Sequence, residues 1–258
     1  MTHDAARIAA ALCALLLAAG TAAAGEAHFY LAPYAFNSSL TGDGRISGGQ
    51  SGTDFDLEDT LGIDPDEKLV GVDGFFKFLG SRIEFGYNQG EYSGVETLDS
   101  SFVINGITFN ASERVRTDID LKRYKLLYGF DFSLKVVNVG FVVGGHLIDA
   151  DVRVRSSSSG TRERDDLRLP VPVLGVTLGV HPISALAIHA ELTGMSVTIS
   201  GIDGTLLEGF AGIHWLFVPK VGLVAGYRHF HLDAADDDED NRIDVTQRGP
   251  YAGLALHL

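Results

Sequence analysis

The chain has 258 residues, 31 of them glycine and only 7 proline, and its 34 acidic side chains against 20 Lys and Arg give a formal net charge of −14. Such a balance repels nucleic acid and other polyanions, and a single cysteine leaves neither a disulfide nor a thiolate metal site. Beyond residue 24 no apolar stretch approaches the roughly 20 residues of a membrane helix, so a mature chain that spans a bilayer must do so with closed strands.

At the N-terminus, Arg7, the apolar run Ile8 to Ala19 and the small residues Ala22, Ala23 and Ala24 read as an export signal cut after Ala24. The run is shorter than a span, which disfavours an anchor. Cys13 lies mid-run behind Ala10, Ala11 and Leu12, which disfavours a lipoprotein. Cleavage removes it, excluding cysteine catalysis. The expected organisation is a signal peptide over 1–24 and one all-β domain over 25–258.

Period-two alternation then recurs to the C-terminus. The first strand runs from His28 to about Ser38. Val70, Val72, Phe76 and Phe78 alternate with Gly71, Asp73 and Lys77, and Ile83, Phe85 and Tyr87 with Arg82, Glu84 and Gly86. Tyr124 to Phe132, Val137 to Val143, Leu174 to Val180, Leu186 to Leu192, Ile213 to Phe217, Leu223 to Tyr227 and Ala252 to Leu258 repeat the pattern, giving ten strands. Eight and twelve are the alternatives. Tight links near Gly80-Ser81, Ser133, His181 to Ser184 and Val218 to Lys220 alternate with longer polar ones, about 39 to 67, 95 to 112, 155 to 165, 199 to 204 and 232 to 243. Short periplasmic turns and long external loops mark a transmembrane antiparallel up-and-down β-barrel. Within the second loop, Asn105-Gly106 between Phe102-Val103-Ile104 and Ile107-Thr108-Phe109 predicts a two-residue hairpin, with the third and fourth strands projecting beyond the membrane.

A secreted sandwich or lipocalin-like barrel would alternate equally well. Against it, Phe76, Phe78, Phe130, Phe132, Trp215 and Phe217 lie where strands enter tight turns, the place of an interfacial aromatic girdle. The chain also alternates from Tyr251 to its last residue, Leu258. In these features it resembles small Gram-negative outer-membrane β-barrel proteins of the broad opacity-type and OmpA-like class. That resemblance implies residence in the outer membrane among lipid and lipopolysaccharide, and insertion by the barrel-assembly machinery. Members of the class usually end in an aromatic residue where this chain has Leu258.

On the polar parity of the expected spans, Asp73, Glu84, Asp131, Glu191 and Glu208 face Lys77, Arg82, Arg123, Lys125 and Arg228. Ionised groups at that depth persist when paired or wet, which predicts a charge-paired, largely filled lumen. A narrow porin-like channel for small solutes is the alternative. Two segments hold the net charge: Ser39 to Glu67, with eight acids against Arg45, and Leu232 to Asp244, with seven against Arg242. Such acidic external loops suit a divalent or other cationic ligand or a surface partner.

No cofactor is expected. Asp236, Asp238 and Asp240 are candidate oxygen ligands for Ca²⁺, without the glycine and spaced glutamate of an EF-hand. His229, His231 and Asp233 share one parity and are the second metal candidate. They are also the only grouping that suggests a rim-site protease or lipid A deacylase. No Gly-x-Ser-x-Gly elbow or phosphate-binding glycine loop accompanies them, so the chain reads as a non-enzyme, structural or surface-binding.

Overall fold

The computed structural model describes residues 28–47, 52–78, 80–199, 201–236, 238 and 240–257. The expected export signal, and Asp237 and Glu239 of the acidic run, lie outside the described residues. In chain order the strands are β1 (His28–Arg45), β2 (Phe55–Asp56), β3 (Asp66–Phe78), β4 (Ser81–Thr97), β5 (Phe102–Ile104), β6 (Ile107–Phe109) and β7 (Arg114–Leu134). They continue with β8 (Val137–Ser156), β9 (Arg162–Ile183), β10 (Leu186–Ile199), β11 (Ile202–Val218), β12 (Val221–Asp236) and β13 (Asn241–His257).

All but β2, β5 and β6 form an antiparallel ring of ten, closed where β13 pairs with β1 from Tyr30↔His257 to Arg45↔Arg242. Below Leu174↔Gly194 closure leaves no sheet edge in the ring, and apolar side chains cover the outside. Leu126, Val143 and Leu174 are 63%, 59% and 60% exposed on the outer face, while Arg123, Lys125 and Glu191 of the opposite parity are buried inside. This inversion of a soluble core excludes the sandwich and lipocalin-like alternatives, because only a hydrocarbon solvent stabilises such a surface.

The belt has two aromatic edges. Phe76, Phe78, Phe130, Phe132, Trp215 and Phe217 project outward at the tight-turn end, each between 39% and 59% exposed. At the other edge Tyr124 and Tyr227 face outward, with the Tyr87 ring 5.0 Å from that of Tyr124 and tilted 43° to it. Tyr124 and Phe132 lie on one strand; at about 3.3 Å per residue and a tilt near 40°, they stand roughly 20 Å apart across the belt.

The strands run further out than the polar segments suggest. β9 has 22 residues and β7 has 21, and much of the expected first and fifth loops is strand, with Ser39↔Arg248 to Arg45↔Arg242 continuously paired. Charged outward residues gave these stretches the look of loops, but Leu40, Leu232 and Ala234 are buried on the inward parity and keep the strands packed.

The hairpin β5–β6 forms at Asn105-Gly106, both at positive φ (51° and 75°) as the two-residue turn requires. Although β4 and β7 do stay paired out to Thr97↔Arg114, the hairpin does not extend them. It folds over the external mouth, where Phe102, Ile104 and Phe109 pack with Phe55, Leu57, Leu61 and Ile63 of the first loop. Thr53 N–H donates to Val103 O at 3.0 Å and Asn105 N–H to Ile46 O at 2.9 Å. Where the first loop crosses β4, a Cβ on Gly94 would fall 2.1 Å from Gly62 O, so the close approach needs glycine.

Glu113 fastens this cap. Its carboxylate accepts from Asn110 Nδ2 at 2.8 Å and Ser159 Oγ at 2.9 Å, and hydrogen bonds from Ser156, Asn110 and Ser159 pull its pKa down to about 2. A depressed carboxylate stabilises fully above its unfolded pKa, about 4.5, and loses that contribution as pH falls toward 2. Hydrogen exchange at residues 110–113 and 156–161 is therefore expected to accelerate between pH 4.5 and 2 in the native protein. In Glu113→Ala it should be fast throughout that window; equal pH profiles would refute the assignment.

Candidate functional site

Two inward-facing regions concentrate the polar chemistry: the mid-barrel lumen and a cleft at the external end. Alternation along six strands brings the ten expected lumen charges together. Lys77 Nζ and Arg82 Nη1 reach Asp131 at 2.8 and 3.2 Å, and Arg82 Nε reaches Glu84 at 2.7 Å. Lys125 Nζ lies 2.9 Å from Glu191 and 3.8 Å from Glu84, Arg123 lies 3.8 Å from Glu208, and Arg228 contacts Asp73 directly.

Several further members are not legible from charge alone. His146 Nε2 stands 3.5 Å from Glu208, and Arg82 Nη2 donates to Thr177 Oγ1 at 3.0 Å. Arg123 Nε donates to Asn88 Oδ1 at 3.1 Å. Aromatic faces cover the cations: Arg123 sits 4.0 Å over Phe230, and Arg228 sits 4.4 Å over Tyr34 and 4.7 Å over Tyr251. Inward parity was the available signal for these residues. The cavities left among these charges are about 50, 10 and 150 Å³, the last lined by Lys77, Arg82 and Asp131 toward the tight-turn end, and all are of a size that water fills.

The metal candidates are placed differently. His229, His231 and Asp233 lie on the outward face of β12, since Arg228, Phe230 and Leu232 hold the buried parity. His231 Nδ1 is 3.0 Å from Thr246 Oγ1 and 3.6 Å from Asp244. In the acidic run, Asp236 Oδ1 accepts from Asp238 N–H at 3.0 Å, and Asp240 receives Arg45 Nη1 at 3.1 Å. Among the described residues, no three His, Cys, Asp or Glu side chains gather to hold a metal ion.

The external cleft holds about 260 Å³. Ala150 and Val152 of β8, Leu167 and Leu169 of β9, and Ala234 and Ile243 of β12 and β13 floor it, with Arg45, Asp165 and Arg242 at its rim. It exists because the wall is notched. β9 and β10 pair only up to Leu174↔Gly194, and among the described residues β9 from Arg162 to Val173 pairs with β8 alone. Ser47 N–H donates to Asn241 Oδ1 at 2.7 Å, fixing the first loop against the β12–β13 turn beside the cleft.

No family model matches the chain, and no curated protein matches it. Among solved structures it is similar to the outer membrane protease OmpT from Escherichia coli, with a TM-score of 0.60 at 9% identity over 92% of this chain and 99% of that one. The translocator domain of autotransporter NalP from Neisseria meningitidis gives 0.45 at 10% identity over 98% and 97%. The attachment invasion locus protein Ail of Yersinia pestis gives 0.39 at 14% over 91% and 100%. The chain has the fold of a Gram-negative outer-membrane β-barrel. At such identities the likeness concerns the fold alone, so the role of this outer-membrane barrel has to be argued from its own residues.

Proposed function

We propose that this protein is a non-conducting outer-membrane barrel that displays a binding cleft at its external end. The observation that carries the reading is the contrast between two packed layers and an open recess at the external end. Inside the belt the charged network leaves separate cavities of about 50, 10 and 150 Å³, the last toward the tight-turn end, and above it the first loop and β5–β6 pack an apolar cap over the mouth. A pathway for solutes would need a continuous wet bore, whereas the 260 Å³ cleft between β9 and β12–β13 opens outward with an apolar floor and a charged rim.

The acidic first loop flanks this recess, held by Arg45, whose Nη2 lies 2.8 Å from Asp54. That placement suits a surface partner better than a free cation, because Arg45 already meets Asp54 and Asp240. The test is electrical. Purified barrel reconstituted in a planar bilayer is expected to give no discrete conductance steps; reproducible unitary steps would overturn the closed-lumen reading.

A further inference from the structure

We infer that the notch beside β9 takes up an extended polypeptide by strand addition, with acidic and apolar residues alternating along the incoming segment. This rests on the reading of the external cleft as a binding site. Three observations converge on it.

The first is an unpaired backbone. Ser156 N–H donates to Thr161 O at 2.8 Å in register with Arg155↔Arg162, and farther down the same pair of strands His181 N–H donates to Val136 O at 2.7 Å. Antiparallel ladders alternate, so odd-numbered β9 residues bond to β8 and even-numbered ones point the other way. Above Leu174 the even-numbered residues therefore turn their N–H and C=O groups to the notch, where no described strand meets them. Pro170 and Pro172 are even-numbered and lack the donor, blunting the lower edge in the way proteins protect exposed strands. At Arg162, Arg164, Asp166 and Arg168 the edge keeps its donors and invites pairing.

The second is the recess itself. A strand added to β9 would place side chains opposite Leu167 and Leu169 on the inward face, over the apolar floor of the 260 Å³ cleft. The third is charge. Opposite the outward β9 residues, the incoming side chains meet three arginines and one aspartate. Arg164 already contacts Asp151 at 2.6 Å and Asp166 at 3.2 Å, which leaves Arg162 and Arg168 as the cations presented to an acidic segment. In a chain of net charge −14 this edge is a local patch of the opposite sign, complementary to an acidic segment.

The probe is a blocked ten-residue peptide alternating Glu with Val and Leu, added to the full-length barrel folded in detergent. It is expected to bind and to slow amide exchange at Arg162, Arg164, Asp166 and Arg168, the odd-numbered amides being protected already. A peptide with Lys in place of Glu should bind far more weakly. Asp166→Pro deletes one edge donor without touching the β8 ladder, and should weaken binding about tenfold. Asp166→Ala, which removes the same like charge but keeps the donor, should bind as well as the native protein or better. Failure of the acidic peptide to bind, binding without new protection of even-numbered amides, or equal affinity for Asp166→Pro and Asp166→Ala would each overturn the inference. None of these results bears on conductance, so a failure here is distinct from a failure of the closed-lumen reading.

Discussion

Replacing Glu191 with leucine is expected to destabilise the barrel by about 3–5 kcal/mol, because Lys125 would be left charged and buried with its nearest partner gone. Lys125 Nζ is 2.9 Å from Glu191 and 3.8 Å from Glu84, and Glu84 is shared with Arg82 at 2.7 Å. One remaining distant carboxylate does not replace a close one. The double variant Lys125→Met, Glu191→Leu should recover most of the loss, since two apolar side chains of similar volume remove both desolvation costs together while Arg82 continues to satisfy Glu84. Urea unfolding of barrels in lipid vesicles, followed by the gel mobility shift of folded against boiled protein, reads both variants. Additive losses in the double variant would mean that the pair is not coupled.

The cap gives the second large effect, confined to one part of the molecule. Phe109 is fully buried in the cluster that joins β5–β6 to the first loop. Truncating a buried phenylalanine to alanine costs about 3–5 kcal/mol, and here the loss falls on docking of the cap rather than on the barrel, whose ten strands close without β5 and β6. Phe109→Ala should therefore speed amide exchange and protease cleavage within 52–65 and 99–112, while the folded-barrel gel shift stays as in the native protein. It should also remain non-conducting, because the ion-pair layer lies beneath the cap. A global loss of the folded band would place the hairpin in the barrel's own stability.

These expectations separate what strand alternation encodes from what it does not. Alternation placed Asp73, Lys77, Arg82, Glu84, Arg123, Lys125, Asp131, Glu191, Glu208 and Arg228 on one face, and the fold sets them within a single lumen. Which acid meets which base could not be read in advance. Pairing across the lumen depends on shear and on side chains from strands far apart in sequence, such as Asp73 and Arg228. The outward aromatics at the turn end were legible because they sit beside turn residues. The opposite edge at Tyr87, Tyr124 and Tyr227 was not, because the strands run on past it without a break.

The external end was the least legible part. Outward Asp and Arg residues made the extensions of β1, β8, β9, β12 and β13 look like loops, while the inward apolar parity that holds them as strands was sparse. The cleft depends on a difference between neighbours: β9 rises above its last pairing with β10, and Pro170 and Pro172 lie along the unpaired stretch. No local pattern announces a missing partner.

By itself, the sequence pointed to a closed barrel of ten strands, with eight and twelve as alternatives, because period-two alternation sorts the side chains onto two faces and the long and short connections mark which end carries the loops. The tertiary structure decided the rest: the partners within the ion-pair layer, the inward folding of β5–β6 as a cap, and the notch beside β9. Each depends on distances between strands remote in the chain, and those are set by ring closure and register rather than by any local run of residues.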